Sequence, residues 1–141
     1  MADIHDLRLA EQLRAAIGAF VRKTREGAGT PSNARSETLG LLSRNGALSV
    51  AALARMRAVT HQSMRETVAD LAKEGLVRSK ANPEDGRGKL YNLTSRGKQV
   101  LRDLRHARAD WIAERWVCHL DEDERRTIVQ AIALLGRIDK L

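Results

Sequence analysis

Residues 48–75 read LSVAALARMRAVTHQSMRETVADLAKEG, and residues 76–97 continue LVRSKANPEDGRGKLYNLTSRG. The first stretch holds two short helices, each with its own start signal. Ser49 is a good N-cap, and Leu48 before it can pack on Leu53 as a hydrophobic staple. That helix ends near Met56-Arg57-Ala58. Thr60 then caps a second helix, with Val59 and Met64 as its staple. Met64, Val68 and Leu71 form an apolar stripe, and Gly75 closes the helix. His61, Gln62, Arg65, Glu66 and Ala69 fall on the opposite side. Two capped helices joined by about three residues make a helix-turn-helix. In the second stretch, Leu76–Lys80 and Lys89–Leu93 read as short strands. Asn82-Pro83-Glu84-Asp85-Gly86-Arg87-Gly88 between them is a dense turn signal. A hairpin directly after a helix-turn-helix is the order of a winged helix.

Upstream, a first amphipathic helix is expected from Ile4 to about Arg25, with Leu13, Ile17, Phe20, Val21 and Thr24 on one face. Gly27, Gly29 and Pro31 break it. A second helix is expected from about Ser32 to Arg44, with Leu39 and Leu42 inward. Downstream, Thr94 caps a long helix reaching about Cys118, striped by Leu101, Leu104, Trp111 and Cys118. A last helix opens on an acidic capping pattern, Asp121-x-x-Glu124, and carries Ile128, Ile132, Leu135 and Ile138 on one side. With the first helix these elements can form a second apolar surface. The fold class read from this order is mainly α with a small β-hairpin wing.

The chain has 141 residues and a net charge of +7. Between Arg44 and Arg108 stand 14 Lys/Arg and 6 Asp/Glu, a net of +8, and the flanks together come to −1. A concentrated positive field suits a polyanion, because neutralised phosphates release condensed counterions; the plainer reading is a solvated basic face. Aromatic residues make up only 3% of the chain, which counts against stacking platforms for single strands. No apolar run is long enough to span a membrane, and acids at Asp3 and Asp6 with no unbroken apolar core do not fit a secretory signal. A cytoplasmic protein is expected. The single cysteine, Cys118, has no partner for an internal disulfide, and its apolar neighbours favour a buried structural thiol over a redox switch. No phosphate loop, H-E-x-x-H or G-x-S-x-G motif is present, so no enzyme, metal or cofactor is expected.

Taken in order, these elements resemble the MarR family of winged-helix transcriptional regulators. Asp85-Gly86-Arg87 followed by Leu93-Thr94-Ser95-Arg96-Gly97 resembles the family's wing signature. Leu71-Ala72-Lys73-Glu74-Gly75-Leu76-Val77 resembles its join between recognition helix and wing. The resemblance implies a homodimer on a palindromic double-stranded operator, with dimerisation helices in residues 1–31 and 98–141 and a DNA-binding lobe in 32–97. It places the helix capped by Thr60 in the major groove, where Gln62, Ser63 and Arg65 could reach base edges or phosphates. His61 could donate to phosphate or simply be exposed. Arg87 would enter the minor groove, Asp85 would hold that arginine in place, and Arg78 and Lys89 would meet phosphates. Glu66 departs from the family's usual basic residue and is read as orienting Arg65 or Gln62.

The family also implies a cavity for small aromatic acids or phenols that weaken DNA affinity. Arg14, Trp111, Arg115 and Trp116 are its candidate lining, and the favoured reading of the tryptophans is that they pack the dimer core. The functional expectation is a sequence-specific regulator acting as a repressor. The alternative is a winged-helix dimer that serves as a protein-interaction module.

Overall fold

The computed structural model describes residues 1–138; the last three residues of the expected segment 98–141 lie outside it. Six helices and one hairpin follow in the order α1 (Ile4–Gly27), α2 (Ala34–Asn45), α3 (Val50–Arg57), α4 (His61–Lys73), β1 (Val77–Ala81), β2 (Lys89–Leu93), α5 (Ser95–His119) and α6 (Glu122–Ile138). Contacts gather them into two compact units, Thr30–His106 and a helical unit formed by Met1–Gly29 with the chain from Ala107 onward.

The first unit is the winged-helix lobe. Its core takes Leu39 and Leu42 from α2, Leu53 and Ala54 from α3, and Met64, Val68 and Leu71 from α4. Leu76, Val77 and Leu93 from the hairpin and Leu101 from α5 complete it. Leu53, Met64 and Leu71 are wholly buried, so each contributes about 1.5–3 kcal/mol through the apolar area it removes from water. Because Leu101 joins this core, the first turns of α5 pack with the lobe, beyond the limit at residue 97 read from the sequence.

Local chemistry sets the helix ends. The Ser49 and Thr60 hydroxyl oxygens each accept a backbone N–H, from Ala52 and Ser63, at 3.1 Å. Helix α2 starts two residues later than expected, because Asn33 supplies the cap and forms a capping box with Ser36. At the end of α4, Leu76 N–H donates to the Leu71 carbonyl at 2.9 Å and Gly75 N–H to Ala72 at 3.0 Å. This closure needs a left-handed residue, and Gly75 takes it at φ +73°.

The same closure ends α3, where Val59 N–H donates to Ala54 at 3.0 Å and Ala58 N–H to Arg55 at 3.2 Å. There the left-handed position is held by alanine, at φ 52° and ψ 43°. A Cβ in that region costs about 1–2 kcal/mol, only part of which glycine returns through its looser unfolded chain. Ala58→Gly is therefore expected to stabilise the protein by about 0.5–1 kcal/mol, read as a higher urea midpoint with unchanged slope.

The hairpin pairs antiparallel from Val77↔Leu93 to Ala81↔Lys89. A third piece of backbone joins it, which the sequence did not suggest. Leu48 and Tyr91 exchange both their backbone hydrogen bonds, at 3.0 and 2.8 Å. Leu48 also packs on the core, and the pair ties the entrance of the helix-turn-helix to the middle of β2, where Tyr91 is the partner of Ser79.

In the helical unit, Asp3 and Asp6 form a capping box at the start of α1, and Asp121 and Glu124 form the expected one before α6. Helix α1 continues two residues past its expected end. Gly27 lies against Trp111, and a Cβ at that position would fall 2.1 Å from the indole Nε1. This glycine ends the helix, as expected, and also serves a close contact. On α1, Leu13, Ile17, Phe20 and Val21 remain exposed, as do Ile132 and Ile138 on α6. A groove of about 730 Å³ between the two helices is lined by Leu13, Ile17, Leu135 and Ile138, with Arg14 at its side. No helix among the described residues is long and apolar enough to cross a membrane.

Candidate nucleic-acid interface

Burial of Met64, Val68 and Leu71 fixes the roll of α4, and the opposite face is presented to solvent. His61, Gln62, Ser63, Arg65, Glu66 and Ala69 are all exposed on it. The Thr60 hydroxyl oxygen is engaged as the cap. Glu66 orients Gln62: the Gln62 Nε2 donates to the Glu66 Oε1 at 3.0 Å. That bond uses one of two amide hydrogens and leaves the Gln62 carbonyl oxygen open, so the pair of groups that reads adenine remains presentable. Arg65, the other group proposed for Glu66 to orient, has no hydrogen bond or ion pair among the described residues.

The wing tip is built from side chain to backbone bonds. Asn82 Oδ1 accepts the Glu84 N–H at 3.1 Å, and Asp85 Oδ1 accepts the Arg87 N–H at 3.1 Å. The Asp85 carbonyl takes the Gly88 N–H at 3.0 Å, and the Gly88 carbonyl takes the Asn82 N–H at 3.1 Å. Asp85 therefore holds the backbone of Arg87 and leaves its guanidinium free, an Asx turn rather than an ion pair. Arg87, Arg78 and Lys89 are exposed.

The remaining lobe cations divide by partner. Arg57 donates from Nε and Nη2 to Glu37 Oε2 at 3.2 and 2.9 Å, its side chain only 13% exposed. Arg35 pairs with Glu74. These two arginines fasten α2 to α3 and to the end of α4, so they hold the fold together. The cations of α4 and the wing have no such duty. What the sequence missed is how the two are joined: Thr94 Oγ1 donates to the Gly75 carbonyl at 2.6 Å, Thr94 N–H to Leu76 at 3.1 Å, and Gly97 N–H to Thr94 Oγ1 at 3.1 Å. This clamp fixes the spacing between the end of α4 and the start of α5, and with it the wing.

All four expected ligand residues belong to the helical unit. Arg115 stacks on Trp111, its guanidinium carbon 3.8 Å from the ring centre. Arg14 lines the α1–α6 groove and pairs with Glu11 at 3.4 Å; neither tryptophan lines that groove. Trp116 is half-buried. Cys118 is exposed, not buried as its neighbours suggested. The apolar stripe of α5 does not persist to the end of the helix: Leu101 is buried, Leu104 and Trp111 are half-buried, and Val117 and Cys118 face solvent.

Comparison with known proteins bears on this geometry. Residues 30–88 match the model of the MarR family. An HTH-type transcriptional regulator of Mycobacterium tuberculosis is 33% identical over 132 residues, covering 92% of each chain. One from Mycobacterium leprae is 32% identical over the same share. A transcriptional regulator of Thermotoga maritima has the same fold, with a TM-score of 0.78 at 16% identity over 95% of this chain and 96% of its own. A mutant of MepR from S. aureus, solved bound to an oligodeoxyribonucleotide, gives a TM-score of 0.63 at 18% identity over 92% and 97%.

Proposed function

The chain belongs to the MarR family of DNA-binding transcriptional regulators, and from that premise we propose that it is a homodimeric repressor of a palindromic double-stranded operator. The observation that carries this reading is the set of cations left without carboxylate partners, Arg65 on α4 and Arg87 at the wing tip, on two elements fixed to one another by the Thr94 clamp. Helix α4 enters the major groove with Gln62, Ser63 and Arg65 toward base edges and with Thr60 and His61 near the phosphates. Arg87 enters the minor groove, where negative potential favours a guanidinium, and Arg78 and Lys89 meet phosphates.

The exposed apolar residues of α1 and α6 support the dimer. Leu13, Ile17, Phe20 and Val21 on one helix and Ile132 and Ile138 on the other are costly to leave in water. A second copy covers them and sets two recognition helices about one helical turn apart on DNA. The stacked Trp111 and Arg115 supply an aromatic wall and a cation for a small aromatic acid that releases the operator. Such a ligand must prefer the form that does not bind DNA. Salicylate that leaves operator affinity unchanged removes this last part of the reading.

The test is fluorescence anisotropy with DNA from immediately upstream of the protein's own gene, at two salt concentrations and with random duplex as competitor. Binding that survives competitor is the expected result. Binding abolished by competitor at both salts leaves non-specific affinity alone. No binding at low salt overturns the DNA reading in favour of a winged-helix module that binds protein.

A further inference from the structure

A second concave surface lies wholly within the winged-helix lobe, away from the exposed face of α4. It encloses about 620 Å³, and five of its lining residues are Arg78, Lys80, Lys98, Arg102 and Arg105. Secondary-structure period explains the convergence. Arg78 and Lys80 are two apart on β1 and share a face of the hairpin with Asn92, the cross-strand partner of Arg78. Lys98, Arg102 and Arg105 follow the i, i+4, i+7 spacing of one face of α5. Two cation-bearing faces thus flank one hollow, whose floor is apolar: Leu42, Leu93 and Leu101 line it and belong to the core.

No acid lines this hollow. Among the described residues none of the five cations pairs with a carboxylate; Arg102 Nη2 donates to Gln99 Oε1 at 2.7 Å and Arg105 Nη2 to Ser43 Oγ at 3.4 Å, both neutral partners. Elsewhere in the lobe, Arg35 and Arg57 do have carboxylate partners. Five like charges around one hollow repel one another in the empty lobe, and a bound anion converts that repulsion into attraction.

We propose that this pocket binds a small organic anion carrying two or more negative charges. The volume is within the range of small-molecule sites, and the leucine floor accommodates a carbon skeleton beneath the charges. A single carboxylate neutralises too few of the five cations. A duplex presents its phosphates on a convex surface, which suits the wing tip and α4 better than a hollow between hairpin and helix. Arg78 belongs to both surfaces, so on the DNA-binding reading above, ligand and duplex compete for it.

The experiment uses the full-length protein and needs no operator. Thermal melting is followed with millimolar citrate or pyrophosphate, against acetate at matched ionic strength, in the wild type and in Lys98→Gln/Arg102→Gln. Citrate and pyrophosphate also stabilise proteins generally, so the readout is the difference between wild type and variant. The expected result is a Tm rise of several degrees with citrate or pyrophosphate in the wild type, reduced in the variant to the effect of acetate. Which probe is stronger tells carboxylate from phosphate chemistry. Equal rises in both proteins, or none in the wild type, overturn the proposal. Without anion the variant should melt no lower than the wild type, since it has lost repulsion; the single Lys98→Gln carries the same test should the double variant not fold. Anisotropy on random duplex separates the remaining possibility. An unchanged salt slope is expected, whereas a slope smaller by about two makes these cations duplex contacts and sinks the ligand site.

Discussion

Gly97→Ala is expected to destabilise the protein by about 3 kcal/mol or more, a large share of the roughly 5–15 kcal/mol that holds a domain folded. Gly97 is buried in the first turn of α5. A Cβ there would lie 2.1 Å from the Leu76 carbonyl oxygen, 3.1 Å from its carbon and 3.3 Å from Leu93 Cδ2. The nearest obstacle is backbone, which no change of rotamer can move. That same carbonyl accepts the Thr94 N–H, and Thr94 Oγ1 holds the Gly75 carbonyl beside it. Relieving the clash therefore means moving α5 away from the hairpin base and losing the clamp between α4 and the wing. Urea unfolding should show a much lower midpoint, and DNA affinity should fall with it although residue 97 touches no DNA. A midpoint equal to that of the wild type would show that the close approach is not needed.

The second large effect separates base reading from phosphate contact. Arg65→Ala should cost about 1–3 kcal/mol on the operator and relax discrimination at particular base pairs, with a much smaller loss on random duplex. Gln62→Ala should behave in the same way. Arg87→Ala should weaken binding to most sequences, and the salt slope should fall by about one if its guanidinium displaces a counterion. The two kinds of loss are expected to differ because Arg65 sits on a rigid helix whose roll is set by three buried side chains, whereas Arg87 rides on a tip held by Asn82 and Asp85. Competition titrations on operator and random DNA at several salt concentrations measure both. Identical losses for all three variants on both DNAs would end the assignment of Gln62 and Arg65 to bases.

Much of the lobe is legible in the sequence because its signals are local. Ser49, Thr60 and Gly75 act within one turn of where they stand, and the turn residues between Asn82 and Gly88 bond to one another. The candidate face of α4 follows from its stripe, since once Met64, Val68 and Leu71 are inward the others are outward. Distant contacts are where the reading failed. Gly27 ends α1 as expected, but its contact with Trp111 has no local signal. Cys118 inherits a buried place from heptad spacing only if α5 keeps one covered face along its length, and it does not. The charge count found the basic middle of the chain but did not divide it. Arg57 is neutralised by Glu37 inside the lobe, while Lys80, Lys98, Arg102 and Arg105 gather on a second face from positions far apart in sequence.

The paired bonds between Leu48 and Tyr91 should give the wing two kinetic regimes. Both amides are held in a closed pair at the middle of β2, next to a core that includes Leu53 and Leu93. They are expected to exchange with deuterium only when the lobe itself opens. At the tip, the amides of Glu84 and Arg87 each rest on one exposed carbonyl or carboxylate oxygen and should exchange orders of magnitude faster. The wing is thus expected to behave as a cantilever, held along its strands and by the Thr94 clamp and opening first at its tip.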